Sequence, residues 1–139
     1  MSIFDDFQTN PKAETEGVWV EYSENKDGTL CAFKVSRMSK ANKKYTKALE
    51  RATKPVRRQI DLKTLKDEKA EDIFLQVFVD TVLLDWKNVQ TRSGDEIPFS
   101  REKALEVMKA LPDLYDDLQE KAKEMELFRQ EALEEEAKN

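Results

Sequence analysis

Two segments near the N-terminus alternate apolar and polar residues, a pattern that predicts the strands of a β-hairpin. The alternating apolar positions are Val18, Val20 and Tyr22 in the first segment and Cys31, Phe33 and Val35 in the second. Between the segments, Asp27-Gly28 favours the positive φ angles of a tight turn. The hairpin is predicted over residues 17–36, after a partly ordered arm over residues 1–16.

Apolar residues at spacings of three and four predict a helical body over residues 39–133. Ser39 is the predicted cap of its first helix, which runs from Lys40 to about Lys54, where Pro55 disfavours continuation. This helix has one apolar stripe, and its other faces are almost wholly basic. Its stripe consists of Ala41, Tyr45, Ala48, Leu49 and Ala52.

A second helix is predicted from Asp67 to Trp86, with apolar residues on nearly every side. Such a helix is a core element, buried by its neighbours or by another subunit. Because the segment is rich in β-branched residues, two strands are the alternative interpretation.

Two further helices complete the prediction. Ser100 caps a short helix, and Pro112 suits the first turn of a last helix, which ends in an acidic tail over residues 134–139. The predicted fold is mainly α (α+β): an N-terminal β-hairpin followed by about four helices, in one small domain that spans residues 1–139.

The net charge of -5 hides a strong segregation of charge along the chain. From Lys34 to Arg58 there are ten basic residues and one acidic residue, a net of +9, whereas residues 1–33 carry -5 and residues 59–139 carry -9. A basic block between two acidic ones fits a nucleic-acid footprint, an internal clasp against the acidic C-terminal helix, or a head-to-tail contact between subunits.

The residues offer little material for catalysis. The chain has no histidine, one cysteine and three widely separated glycines, so most zinc, Ser-His-Asp and Cys-His chemistry is excluded and no phosphate-binding loop is present. The N-terminus lacks the pattern of a signal peptide, and no apolar run is long enough to cross a bilayer. We expect an intracellular, non-enzymatic protein with no cofactor, no metal and no membrane partner.

The order of seven short motifs resembles that of the tail assembly chaperones of long-tailed bacteriophages and prophages. The resemblance covers roughly Phe4 to Phe128, and each motif by itself is chemically plain. The motifs are Glu16-Gly17-Val18-Trp19 with Tyr22, Phe33-Lys34-Val35-Ser36-Arg37, Ala41-Asn42-Lys43-Lys44-Tyr45, Pro55 with Arg57-Arg58-Gln59, Val82-Leu83-Leu84-Asp85-Trp86, Ile97-Pro98-Phe99-Ser100 and Leu111-Pro112-Asp113-Leu114.

This resemblance implies a protein that binds the tape measure protein, keeps it soluble and helps to recruit tail tube subunits. It also implies self-association, a location in the host bacterial cytoplasm and absence from the finished virion. Two alternatives remain open: a nucleic-acid-binding regulator that uses residues 34–58, and a structural head–tail component of the virion.

Two sets of residues are candidates for these contacts. The candidate partner or self-association surface consists of Trp19, Tyr22, Arg37, Lys40, Lys43, Lys44, Lys47, Arg57 and Arg58. The candidate client groove or core consists of Phe74, Phe78, Trp86, Leu114, Leu118, Met125 and Phe128. The apolar pattern does not separate groove from core within the second set.

Overall fold

A computed structural model describes residues 2–124 and 126–129 of the chain. In it a three-stranded antiparallel sheet, in the order β1-β2-β3, packs against helices. The strands are β1 (Val18–Glu24), β2 (Leu30–Val35) and β3 (Leu83–Lys87). The helices are α1 (Ile3–Phe7), α2 (Pro11–Glu16), α3 (Lys43–Thr53), α4 (Arg57–Asp61), α5 (Asp67–Thr81), α6 (Arg101–Ala110) and α7 (Pro112–Lys123). The predicted α+β class is confirmed.

The N-terminal arm contains two short helices that the sequence pattern did not predict. The Ser2 hydroxyl and the Asp5 carboxylate form a capping box at the start of α1. Asn10 caps α2, and Pro11 occupies the first helical position, where the missing N–H costs nothing. Helices of five and six residues are too short to show an apolar period, so only their caps mark them.

The hairpin forms where it was predicted. Val20 pairs with Phe33 and Trp19 with Lys34, and Gly28 adopts a φ of 88° in the turn. Gly17 at the start of β1 has a φ of 95°, and a Cβ there would lie 2.7 Å from Leu84 Cδ1. A side chain at this position is therefore opposed by both the backbone and the third strand.

The prediction of one long helix from Asp67 to Trp86 is wrong in its last five residues. The helix α5 ends at Thr81, and the chain turns into β3, which pairs with the free edge of β2. Ser36 fixes the turn: its hydroxyl donates to the Thr81 carbonyl and its amide to the Val82 carbonyl, both at 2.9 Å. A strand partner decides the conformation of this apolar segment, and local sequence does not show that partner.

The basic helix begins three residues later than predicted. Asn42, not Ser39, caps it, since the Asn42 side chain accepts a hydrogen bond from the Tyr45 amide at 3.3 Å. Pro55 ends the helix as predicted, in a short 3-10 turn that leads into α4.

Both later helices begin at the predicted residues, Ser100 as the cap of α6 and Pro112 in the first turn of α7. The helix α7 ends at Lys123, whereas the apolar pattern predicted it to continue to about residue 133. Residues 126–129 are again helical. The predicted tail over residues 134–139 lies outside the described residues.

The main core joins the sheet to α5, α6 and α7. The ring of Trp86 meets Phe33 and Phe99 edge-on, with centroids 5.8 and 5.1 Å apart, and its Nε1 donates to the Ile97 carbonyl at 2.7 Å. Other buried members are Phe78, Leu83, Met108, Leu118 and Ala122. A smaller cluster of Ala13, Val18 and Phe128 joins the arm to the C-terminal segment.

Candidate functional site

A cleft of about 780 Å³ opens between α3, α5 and the pair α6 and α7. Its floor is apolar and its rim is charged, the usual composition of a site that binds a partly apolar ligand. The apolar lining consists of Met38, Tyr45, Leu49, Phe74, Leu75, Val77, Met108, Pro112 and Tyr115. The polar lining consists of Glu68, Glu71, Asp72, Lys109, Asp116, Gln119 and Lys123.

Two tyrosines form opposite walls of the cleft. Tyr115 on α7 packs edge-on against Phe78 at 5.1 Å, and Tyr45 lies on α3. Burial, with the negative charge of Asp116 second, raises the pKa of Tyr115 to about 12, and burial also raises the pKa of Tyr45. Both rings therefore stay neutral at physiological pH and act as apolar surface with a polar tip.

The floor combines a fixed and an adaptable part. Met108 is fully buried, whereas Met38 is half-buried and is held in place by its amide, which donates to the Ala122 carbonyl on α7 at 2.8 Å. Phe74 stands at the open side with 43% of its surface exposed. Methionine side chains adjust to irregular partners, so this floor suits a ligand whose apolar side chains vary.

Acidic residues predominate at the rim. Asp72 pairs with Lys109 at 3.6 Å. The other charged lining residues are three acids, Glu68, Glu71 and Asp116, and one base, Lys123. The rim therefore carries a net negative charge. Such a rim favours a partner with basic residues beside its apolar ones and disfavours an acidic one.

The structure separates the seven predicted groove-or-core residues. Phe74 is the member that lines the cleft, whereas Phe78, Trp86 and Leu118 are buried in the main core. Leu114 is half-buried against that core. Phe128 is buried in the smaller cluster, and Met125 lies outside the described residues.

Three residues of the predicted partner surface make contacts within the chain. Trp19 lies under the ammonium groups of Lys34 and Lys87, at 5.9 and 4.4 Å from its ring centre. The Tyr22 hydroxyl donates to Asp117 at 2.5 Å, with its ring on the core face of the sheet. The Arg37 guanidinium pairs with the largely buried Glu14 at 3.3 Å, which ties the arm to the end of β2.

The other six residues of that predicted surface are exposed: Lys40, Lys43, Lys44, Lys47, Arg57 and Arg58. Among residues 2–124 and 126–129, none of the six forms an ion pair within 4 Å. Within that part of the chain, the basic helix does not form the internal clasp that the charge pattern allowed.

A second, smaller groove between α3 and α5 was missed at the sequence level. Its volume is about 340 Å³, and it shares only Val77 with the cleft. Its lining is Ala48, Arg51, Ala52, Ile73, Gln76, Val77 and Asp80. The pair Ala48 and Ala52 could have revealed this groove, because small side chains leave space beside a helix. Both were assigned only to the apolar stripe of α3.

The described residues contain no cluster of three or more side chains suited to hold a metal ion. Burial raises the pKa of the half-buried Cys31 thiol. In the same part of the chain, no helix has the length and apolar character needed to cross a membrane. The cleft and the groove each offer apolar side chains against which a ligand can pack and charged side chains that can orient it.

A model of a family described as YdaY prophage protein matches residues 40–139. The matched span includes β3, every helix from α3 to α7, and all of the cleft lining except Met38. No curated protein and no solved structure matches the chain.

Proposed function

Because the chain belongs to the YdaY prophage protein family, we propose that it is a non-enzymatic tail assembly chaperone whose client is the tape measure protein. Family membership supports a phage-related role. The observation that carries the finer proposal is the open cleft with an apolar floor and an acidic rim. The order of motifs that resembles tail assembly chaperones points the same way.

The shape of the cleft suits one helix of the client. Helices border the apolar floor on three sides, and an amphipathic helix binds such a groove through residues on one of its faces. Phe74, Tyr45 and Tyr115 are the anchoring surfaces. The acidic rim then selects client segments with Lys or Arg beside the apolar stripe.

The proposed cycle involves binding without catalysis. The chaperone covers apolar stretches of the tape measure protein in the host cytoplasm, helps to recruit tail tube subunits and leaves before the virion is complete. Covering an apolar helix prevents its aggregation, because contiguous exposed apolar patches associate.

Co-expression with the tape measure protein of the same prophage tests the proposal. The soluble fraction of the client should rise with the wild-type chain and should fall back with Phe74→Asp, which adds a charge to the apolar floor. Leu62→Asp is the matched control, since Leu62 is an exposed apolar residue outside the cleft lining. That variant should solubilise the client as the wild type does.

Two results would contradict the proposal. The first is a client that stays insoluble with excess wild-type chaperone. The second is detection of this chain in purified virions at a fixed stoichiometry, which would indicate a structural component. Virions that lack the chain, together with loss of solubilisation by Phe74→Asp alone, would support it.

A further inference from the structure

The N-terminal helix α1 presents apolar side chains to solvent. Ile3, Phe4 and Phe7 are 67%, 74% and 66% exposed, and none of them belongs to either apolar cluster of the described residues. The capping box at Ser2 and Asp5 makes α1 a formed helix. Three large apolar side chains on one turn of helix form a compact hook, defined here as residues 3–7.

The hook is also acidic. Asp5 and Asp6 lie between its apolar residues, and both are exposed. An apolar surface flanked by carboxylates fits an apolar recess beside basic residues. The cleft does not meet that condition, because its own rim is acidic and would repel Asp5 and Asp6.

The groove between α3 and α5 meets both conditions. Ala48 and Ala52 leave space next to Ile73 and Val77, which gives an apolar recess. Arg51 lines its edge, the exposed Lys44 and Lys47 lie on the same helix, and the exposed Lys54 directly follows that helix. The four have no ion pair within 4 Å in the described part of the chain.

The acidic residue at this groove is already neutralised. Asp80 accepts a hydrogen bond from Arg101 Nε at 2.6 Å, and Arg101 Nη2 approaches both Asp80 and Gln76. The electrostatic potential at the mouth of the groove is therefore determined by the four basic residues Lys44, Lys47, Arg51 and Lys54. The hook is thus acidic and the border of the groove is basic, so two surfaces of the same chain are complementary in charge.

We infer that the hook of one copy docks in the α3–α5 groove of a second copy. The contact is heterologous, because the hook and the groove are different surfaces, so repetition gives a ring or an open spiral. The cleft keeps its own lining in such an assembly, since it shares only Val77 with the groove. This inference does not depend on the identity of the client.

The apolar residues carry most of the contact and the charges orient it, because exposed ion pairs contribute little each. Association should therefore persist in part at high salt but weaken, since the Debye length falls from about 10 Å at 0.1 M to about 3 Å at 1 M. A purely electrostatic contact would vanish at the higher salt concentration.

Sedimentation of the full chain tests the inference with two complementary variants. The hook variant is Phe4→Ser with Phe7→Ser, and the groove variant is Lys47→Glu with Arg51→Glu. All four side chains are exposed, so both variants should fold. Each alone should be monomeric where the wild type forms multimers, and an equimolar mixture should stop at a heterodimer. The charge-matched control, Lys66→Glu with Lys69→Glu, should multimerise as the wild type does.

Three outcomes would overturn the inference: a wild type that is monomeric at high concentration and low salt, a hook variant that multimerises normally, or a mixture with no heterodimer. Binding of the monomeric wild type to vesicles of phosphatidylcholine and phosphatidylglycerol, lost in the hook variant, would assign the hook to a lipid surface instead. The hook variant should still solubilise the tape measure protein, so failure of the cleft proposal and failure of this one are distinguishable.

Discussion

Phe74 and Phe78 lie four residues apart on α5, yet they belong to different regions of the molecule. Phe78 is fully buried between the sheet and α7, whereas Phe74 is 43% exposed in the cleft. The C-terminal half of α5 is followed by β3 and lies against the core. The N-terminal half borders the cleft that α5 forms with α3, α6 and α7. One apolar stripe thus supplies a core at one end and a binding surface at the other.

The difference teaches that apolar periodicity marks a face and not its degree of burial. Both phenylalanines occupy the spacing expected for a packed helix. What separates them is the tertiary partner: Phe78 has Tyr115 edge-on at 5.1 Å, and Phe74 has the open side of the cleft. Stability and binding should respond differently to changes in the two regions.

The largest loss of stability is expected for Trp86→Ala in the closed region. Trp86 loses its contacts with Phe33 and Phe99 and leaves the Ile97 carbonyl without its hydrogen bond. Large-to-small changes at buried aromatic residues cost about 3–5 kcal/mol, a large part of the stability of a small domain. Urea denaturation should show this loss, and an unchanged midpoint would place Trp86 outside the core.

The matched pair Phe78→Ala and Phe74→Ala tests the comparison directly. The same atoms are removed from the same helix, so the change in helix propensity is the same in both variants and does not contribute to the difference between them. Phe78→Ala should cost about 3–5 kcal/mol and Phe74→Ala roughly 1 kcal/mol or less, because little is packed around the second ring. Equal losses in urea denaturation would mean that the cleft is closed in solution.

Much of the fold could be predicted because local chemistry determines it. The alternation of β1 and β2, the turn at Gly28 and the starts of α6 and α7 all depend on residues within a few positions of each other. The strand β3 could not be predicted, since the segment that forms it is apolar enough for either conformation and β2 supplies the deciding hydrogen bonds.

The candidate site was predictable only in part. Phe74 was among the residues singled out, but its exposure depends on how far α3 and α7 stand from α5. Tyr115 was not singled out, because its place in the cleft follows from the crossing of α7 over Phe78. The basic residues of α3 are exposed, since the ten basic side chains between Lys34 and Arg58 exceed what a core can pair.

A smaller effect is expected at the contact that ties the hairpin to α7. Tyr22→Phe removes the hydrogen bond to Asp117, which also pairs with Lys121 at 2.9 Å, and should cost about 1 kcal/mol at neutral pH. The Tyr22 hydroxyl, with Lys121 second, lowers the pKa of Asp117. A lowered carboxyl pKa stabilises the fold above the unfolded value of 3.8, and this contribution is lost as pH falls through the folded value.

The difference in unfolding free energy between wild type and Tyr22→Phe should therefore shrink below about pH 4. Urea denaturation at neutral pH and in acid measures it. Asp117→Asn is the control, because an amide cannot titrate, and Tyr22→Phe in that background should show no such acid dependence. A difference that stays constant into acid would mean that the bond does not involve the ionised carboxylate.

The last effect, which is absent at neutral pH, is the ionisation of Tyr115 in the wall of the cleft. Burial raises the pKa of Tyr115 from 10.0 to about 12, so between these values the unfolded chain releases the proton while the folded chain keeps it. The folded state is therefore destabilised progressively as pH rises above 10, and Tyr115→Phe should flatten that decline. The absorbance of tyrosinate, compared between wild type and Tyr115→Phe, isolates this group. If the missing signal titrated near pH 10, the Tyr115 ring would be solvated and the cleft wider than the structure has it.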